Sequence, residues 1–259
     1  MTSIPFFQVD AFAERPLTGN PAAVMPLERW LDDELMQRIA AENNLAETAF
    51  AVPSERDDAD YDLRWFTPTV EVNLCGHATL ASAHVLIHAE PIRFSTRSGI
   101  LSVARSGDLL ELDMPAAEVE PAELPDLLEA LGIEGETFLG RQGNGNALIL
   151  VENEAAVRAV RPDFAALSKL PYLVSVTAPG DHQEVASRVF AAYHGIPEDP
   201  VTGSAHTALV PFWAKRLGRT EFTALQASER TGLLHCRLGG DRVILGGHCQ
   251  TVIVGQFQL

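Results

Sequence analysis

Two helical stretches in this sequence have almost no polar face, and they limit the fold more than any other feature. One is GHATLASAHVLIH (76–88), the other GSAHTALVPFWAKRL (203–217). A helix that is apolar nearly all round is buried, so other elements must wrap it. The two begin alike. Gly76 and Gly203 stand 127 residues apart, close to half of the 259-residue chain, and in that alignment Ala78 meets Ala205 and Ala81 meets Ala208. Two copies of a sheet around a central helix would produce both the pattern and the offset, so a duplicated architecture is predicted.

The segments around the helices support this. IPFFQVDAF (4–12), PAAVMPL (21–27), AETAFAVP and YDLRWFTP read as strands, the last alternating Leu63 and Trp65 with Asp62 and Arg64. DDELMQRIAAENN opens with acids and sets Leu35, Met36, Ile39 and Ala40 on one side, the pattern of an amphipathic helix. Short strands PIRFSTRSG, ILSVARSG and LLELDMP follow 76–88. AAEVEPAELP (116–125) is acidic, proline-bearing and without period, and reads as a linker. The second half repeats the scheme, with short helices at 126–132 and 153–161, a long strand EVASRVFAAY and four strands after 203–217. The expected lobes are 1–117 and 118–259, with the last strand a candidate to return to the first lobe.

A chain of this length suggests one large domain or two ordinary ones, and it can bury a core without disulfide or metal staples. Cys75, Cys236 and Cys249 are an odd number without framework spacing, which suits a reducing compartment. The start MTSIPFFQVDAF lacks a basic region and an apolar signal segment, so a cytoplasmic protein is expected. A net charge of −16 argues against nucleic acid and anionic membrane as partners. Only Lys169 and Lys215 are available for Schiff-base chemistry. What remains is chemistry on small molecules.

A helix start exposes unpaired N–H groups and the positive end of the macrodipole, and a glycine there admits a ligand close to the backbone. NLCGHATLASAH and EDPVTGSAH offer two such starts, and with facing lobes both would hold one small carboxylate. Taken singly, each start could instead be a helix capped by Thr202 or Ser204 that binds nothing. Near the tips stand His77 and Asp199, an imidazole and an acid suited to proton transfer. Glu47, in NNLAETAF, is flanked by Leu45, Ala46, Ala49 and Phe50; burial there would raise its pKa toward neutrality, and a solvated strand end is the competing reading.

Four other patterns are set aside. His84 and His88 lack the glutamate of a zinc-protease helix, and the neighbours His235–Cys236 and His248–Cys249 would point to opposite faces of a strand. Ser204 lacks a nucleophile-elbow frame, and Gly143 and Gly145 read as a tight turn. No metal site is expected.

In order, FQVDAF…GNPAAV, NLAET, RWFTP…CGHATLASAHVL, EDPVTGSAH and QASERTG resemble the phenazine-biosynthesis PhzF-like family of isomerases across almost the whole chain. The resemblance implies an α+β, diaminopimelate epimerase-like fold of two similar lobes, each a curved sheet around a central helix, with the site between them. It also implies a homodimer and no cofactor. By motif, Glu47 is the acid/base, His77 and Asp199 its catalytic companions, and Asn20, Gly76, Thr202, Gly203 and Ser204 line the substrate site. Related racemases use two facing cysteines, but here Cys75 meets Thr202, whose hydroxyl is too weak an acid to complete a two-thiol pair.

The expectation is therefore a cofactor-independent isomerase that shifts a proton and a double bond in a small carboxylate-bearing substrate. The family's best-understood substrate is a cyclic dihydro-hydroxyanthranilate. Two alternatives stay open: a Cys75-dependent epimerase or dehydratase of an amino or hydroxy acid, and a binding protein that kept the fold without the chemistry.

Overall fold

The computed structural model describes residues 3–88, 90–141 and 145–259, so Gly143 of the expected turn lies outside the described residues. The chain divides into two compact units, one formed by Met1–Asp113 with Gly246–Leu259, the other by Met114–Leu245. The architecture is α+β, and among the described residues no helix is long and apolar enough to cross a membrane.

The first unit contains β1 (Ser3–Ala11), β2 (Asn20–Pro26), α1 (Asp33–Asn43), β3 (Glu47–Pro53), β4 (Tyr61–Phe66), β5 (Glu71–Val72), α2 (Gly76–Leu86), β6 (Ile92–Thr96), β7 (Gly99–Ser106) and most of β8 (Leu109–Pro115), whose last two residues fall in the second unit. The C-terminal strand Cys249–Gln258 pairs antiparallel with β1 over its length. β1 pairs antiparallel with β2, β2 runs parallel to β3, and β3 pairs antiparallel with β4. The parallel step is possible because α1 supplies the crossover between β2 and β3.

The alternation of β3 determines what each of its faces does. Phe50 and Val52 share a core cluster with Met36, Ile39 and Ala40 of α1. Glu47, Ala49 and Ala51 point the other way by the period-2 rule, and α2 packs against β1, β2 and β3. α2 is buried from Gly76 through Ala83, as its lack of a polar face requires. It ends at Leu86 rather than 88, because Ile87 leaves the helical conformation.

The second unit contains β9 (Val119–Pro121), α3 (Pro125–Leu131), β10 (Glu136–Gly140), β11 (Asn146–Leu150), α4 (Glu154–Ala159), α5 (Phe164–Leu167), β12 (Leu173–Pro179), β13 (Val185–Ala191), β14 (Ile196–Asp199), α6 (Gly203–Leu217), β15 (Glu221–Gln226), β16 (Gly232–Gly239) and most of β17 (Arg242–Gly247), whose last two residues fall in the first unit. Within the expected linker, β9 pairs antiparallel with β10. The long strand at EVASRVFAAY stops at Ala191, where a 3-10 turn begins. α3, α4 and α5 cover one core, with Leu127, Val157 and Leu167 against Ile149, Val176 and Phe190. α6 packs on β11 and β16, and Trp213 donates its indole N–H to Thr177 Oγ1 at 3.0 Å.

Candidate active site

In the first unit, three element starts converge. Asn20 opens β2, Glu47 opens β3, and Cys75, Gly76 and His77 form the entry to α2. Asn20 is fully buried, His77 is 3% exposed and Cys75 is 5% exposed. Nε2 of His77 lies 2.9 Å from Oε2 of Glu47. The contact is one of charge rather than of hydrogen-bond direction, since neither buried atom has a hydrogen-bond partner among the described residues. On the other side of the ring, Nδ1 lies 3.1 Å from Nδ2 of Asn20 and 3.6 Å from Sγ of Cys75. Oε2 of Glu47 is sealed against the ring, yet the Glu47 side chain as a whole keeps 11% of its area exposed.

Burial opposes a charge on His77, but the Cys75 sulfur and the Glu47 carboxylate outweigh it and move the ring well above its usual value. Burial and the Glu47 charge also push the Cys75 thiol up, so it stays protonated near neutrality. A charged ring donates from both nitrogens, and Asn20 serves it by presenting its amide oxygen, a half-turn of the same side chain.

Glu47, Cys75 and His77 also bring an oxygen, a sulfur and a nitrogen within 4.8 Å of one another, the only such trio among the described residues. The donor types suit a zinc-like ion. The pairs set aside on sequence do not form clusters of this kind: Nε2 of His84 meets Oγ1 of Thr251 at 3.0 Å, and burial pushes the Cys249 thiol up to about 12.

In the second unit, the start of α6 is built differently. Asp199 ends β14 and is 7% exposed, and Thr202 is the N-cap at 6%. The Thr202 side chain does not cap the helix: its hydroxyl donates to Oδ2 of Asp199 at 2.5 Å. Cys75 does not cap α2 with its side chain either. No N-cap side chain therefore engages the first-turn N–H groups of either buried helix. Ser204 is half-buried, and among the described residues its hydroxyl takes no partner.

Two residues to which the sequence reading assigned no role complete this region. His206, 1% exposed, lies with Nδ1 2.8 Å from the Thr202 carbonyl. A carbonyl only accepts, so Nδ1 carries the proton, and Nε2 is a buried acceptor without a partner among the described residues. Burial holds this ring down at about 4, against the opposing pull of the Thr202 carbonyl. The other is Gln226, fully buried at the end of β15, whose amide meets both Asp199 and Thr202. The sequence signal for Gln226 is its place at the head of QASERTG.

A mixed sheet packed around a buried helix, with a buried carboxylate against an imidazole at the helix start, defines an α+β protein with a candidate acid/base site. The phenazine biosynthesis-like protein family profile matches residues 9–255. An uncharacterized isomerase of Pseudomonas aeruginosa is 52% identical over 263 residues, covering 99% of each chain. The crystal structure of a PhzF-family phenazine biosynthesis protein from Enterococcus faecalis superposes with a TM-score of 0.92 at 43% identity, covering 100% of both chains. A hydroxyproline epimerase from Agrobacterium vitis, at 12% identity and a TM-score of 0.65 over 98% of this chain and 92% of its own, shares the fold. The chain belongs to the phenazine biosynthesis-like, PhzF family, whose members include isomerases, and has its diaminopimelate epimerase-like fold.

Proposed function

We propose that this protein is an isomerase that moves a proton between carbons of a small carboxylate-bearing substrate, shifting a double bond, with Glu47 as general acid/base and no cofactor taking part. The observation that carries this reading is the 2.9 Å approach of His77 to Glu47, both buried. Glu47 takes a proton from one carbon, electrons move through the conjugated system, and Glu47 returns the proton to another carbon on the same face. A cationic His77 balances Glu47 before abstraction. As Glu47 becomes neutral, the charge leaves to the substrate, where preorganised N–H donors stabilise it.

In this reading, Gly76, Gly203 and Ser204 supply carboxylate-binding donors, Asn20 orients His77, Asp199 shares in proton traffic, and Thr202 acts through Asp199. Incubating the protein in D2O with a panel of small cyclic carboxylates, dihydro-hydroxyanthranilates among them, tests the reaction. Solvent deuterium should enter the substrate carbon, and Glu47→Gln should lower that rate by at least about a thousandfold while folding is kept. Near-normal exchange by the variant would sink the assignment. Absence of exchange across the panel would favour a binding protein. Light scattering tests the homodimer implied by the family, and a monomer would refute it without touching the site argument.

One observation favours a second reading. Cys75 stands 3.6 Å from a ring nitrogen of His77, the arrangement of a thiol with its base. Its raised pKa weighs against it, because a nucleophilic or basic cysteine needs the thiolate.

A further inference from the structure

The motif QASERTG (226–232) has no part in the chemistry above, yet its first residue holds the entry to α6 together. We infer that Gln226 is a positioning residue that sets the Asp199 carboxylate through Thr202, an assignment whose catalytic meaning rests on the proposed function.

The hydrogen-bond chemistry leaves one arrangement. Oε1 of Gln226 accepts the Thr202 backbone N–H at 2.9 Å, and Nε2 donates to the Asp199 carbonyl at 2.8 Å. An N–H cannot meet an N–H, nor a carbonyl a carbonyl, so the amide has a single orientation. The same Nε2 donates to Oγ1 of Thr202 at 3.1 Å. That contact occupies the hydroxyl as an acceptor and leaves its only proton for Oδ2 of Asp199, 2.5 Å away. The chain runs Gln226 to Thr202 to Asp199, and all three residues are buried.

Neighbouring contacts lock the same turn. Oγ of Ser228 donates to the Pro200 carbonyl at 2.8 Å, and the Ala227 N–H meets the Ser187 carbonyl at 2.6 Å. Parallel pairing of Gln226 with Ser187 of β13 fixes the strand that carries the glutamine. With the carbonyls of 199 and 200 and the N–H of 202 all engaged, the segment between β14 and α6 has little freedom. Gln226 also spares Thr202 from capping, because the hydroxyl that would cap α6 is aimed at Asp199 instead. A methionine in its place would fill the volume and release the hydroxyl.

The test is an NMR measurement on the full chain labelled with 13C in its aspartate carboxyls, with the Asp199 signal assigned by its loss in Asp199→Asn. Gln226→Met and Thr202→Val should each move the Asp199 carboxyl resonance, and the double variant should move it no further than the larger single shift. An Asp199 signal unmoved in Gln226→Met while Thr202→Val shifts it, or two shifts that add, would overturn the inference. If Gln226→Met does not fold, Gln226→Glu carries the same measurement, since it keeps the acceptor and loses the donors. A purely structural glutamine would lower stability without moving that resonance. In the deuterium-exchange assay, Gln226→Met should lose roughly 10- to 100-fold in kcat per folded molecule, the range for one charge-assisted hydrogen bond. The two ideas fail separately: if the unmodified protein exchanges nothing, the isomerase reading falls, and the Asp199 resonance still decides the role of Gln226.

Discussion

Nε2 of His77 and Oε2 of Glu47 stand 2.9 Å apart, both atoms buried and without a hydrogen-bond partner among the described residues. Burial alone would hold His77 neutral, and the raised value arises because Cys75 and Glu47 outweigh it. A base whose folded pKa lies above its unfolded value of about 6.5 binds a proton more tightly when folded. The resulting stability is complete below pH about 6.5 and is lost as pH climbs through the folded value. Urea unfolding of the wild type should therefore show declining stability on the alkaline side of neutrality. His77→Gln should flatten that decline, and a wild-type profile that rises across the same window would contradict the charged-ring assignment.

His206 should behave in the opposite sense. Its folded value is depressed to about 4, so the unfolded chain takes up a proton near pH 6.5 that the folded chain refuses. Stability falls as pH drops from about 6.5 to about 4 and levels off below. The difference of some 2.5 units corresponds to about 3 kcal/mol at full development. His206→Asn retains a donor for the Thr202 carbonyl and does not titrate. It should be less stable than wild type at pH 7 by about 1 kcal/mol and should close that gap, or reverse it, by pH 4. Parallel unfolding curves for the two proteins across that range would remove the buried neutral imidazole from the account.

Cys75→Ala separates the two catalytic readings. The substitution removes one buried sulfur from a site that is 5% exposed, a loss of about 1 kcal/mol by cavity arguments. With Glu47 as the acid/base, turnover per folded molecule should stay within about threefold of wild type. A thiol mechanism requires a loss of a thousandfold or so, as for other essential nucleophiles. The deuterium-exchange rate measured beside a thermal melt decides between them.

The parts of this fold that were legible in the sequence are those with a period long enough to read. α2 and α6 stood out because neither has a polar face, and β3 and β4 because apolar and polar residues alternate or crowd. β5, β14 and α5, at two to four residues each, are too short to show a period at all. Glu47 and His77 could be picked out because each is a polar residue at the start of an element in apolar surroundings. Their 2.9 Å contact could not be, since it depends on β3 facing α2 across the sheet. For Thr202, local rules favour a helix cap, but its hydroxyl donates to Asp199 and accepts from Gln226, 24 residues on. That outcome is tertiary and leaves no local trace.

Gly19 shows how closely the backbone approaches itself beside the site. Its φ of +69° lies in the left-handed region, and a Cβ there would stand 2.3 Å from the Ala11 carbonyl oxygen and 2.8 Å from Cβ of Ala13. Gly218, the C-cap of α6, has nearly the same φ of +66°, with nothing within 4 Å of an added Cβ. The pair separates conformational strain from steric clash. Gly218→Ala should cost about 1 kcal/mol, the ordinary penalty for a left-handed alanine. Gly19→Ala should cost about 3 kcal/mol or more, because backbone rather than a flexible side chain must yield. It should also disturb the site, since Asn20 follows directly and its amide lies 3.1 Å from Nδ1 of His77. Denaturant unfolding of both variants, with the His77 ring followed by NMR, checks the claim. Equal losses of stability with an unmoved His77 signal would show that the turn before Asn20 does not position the ring.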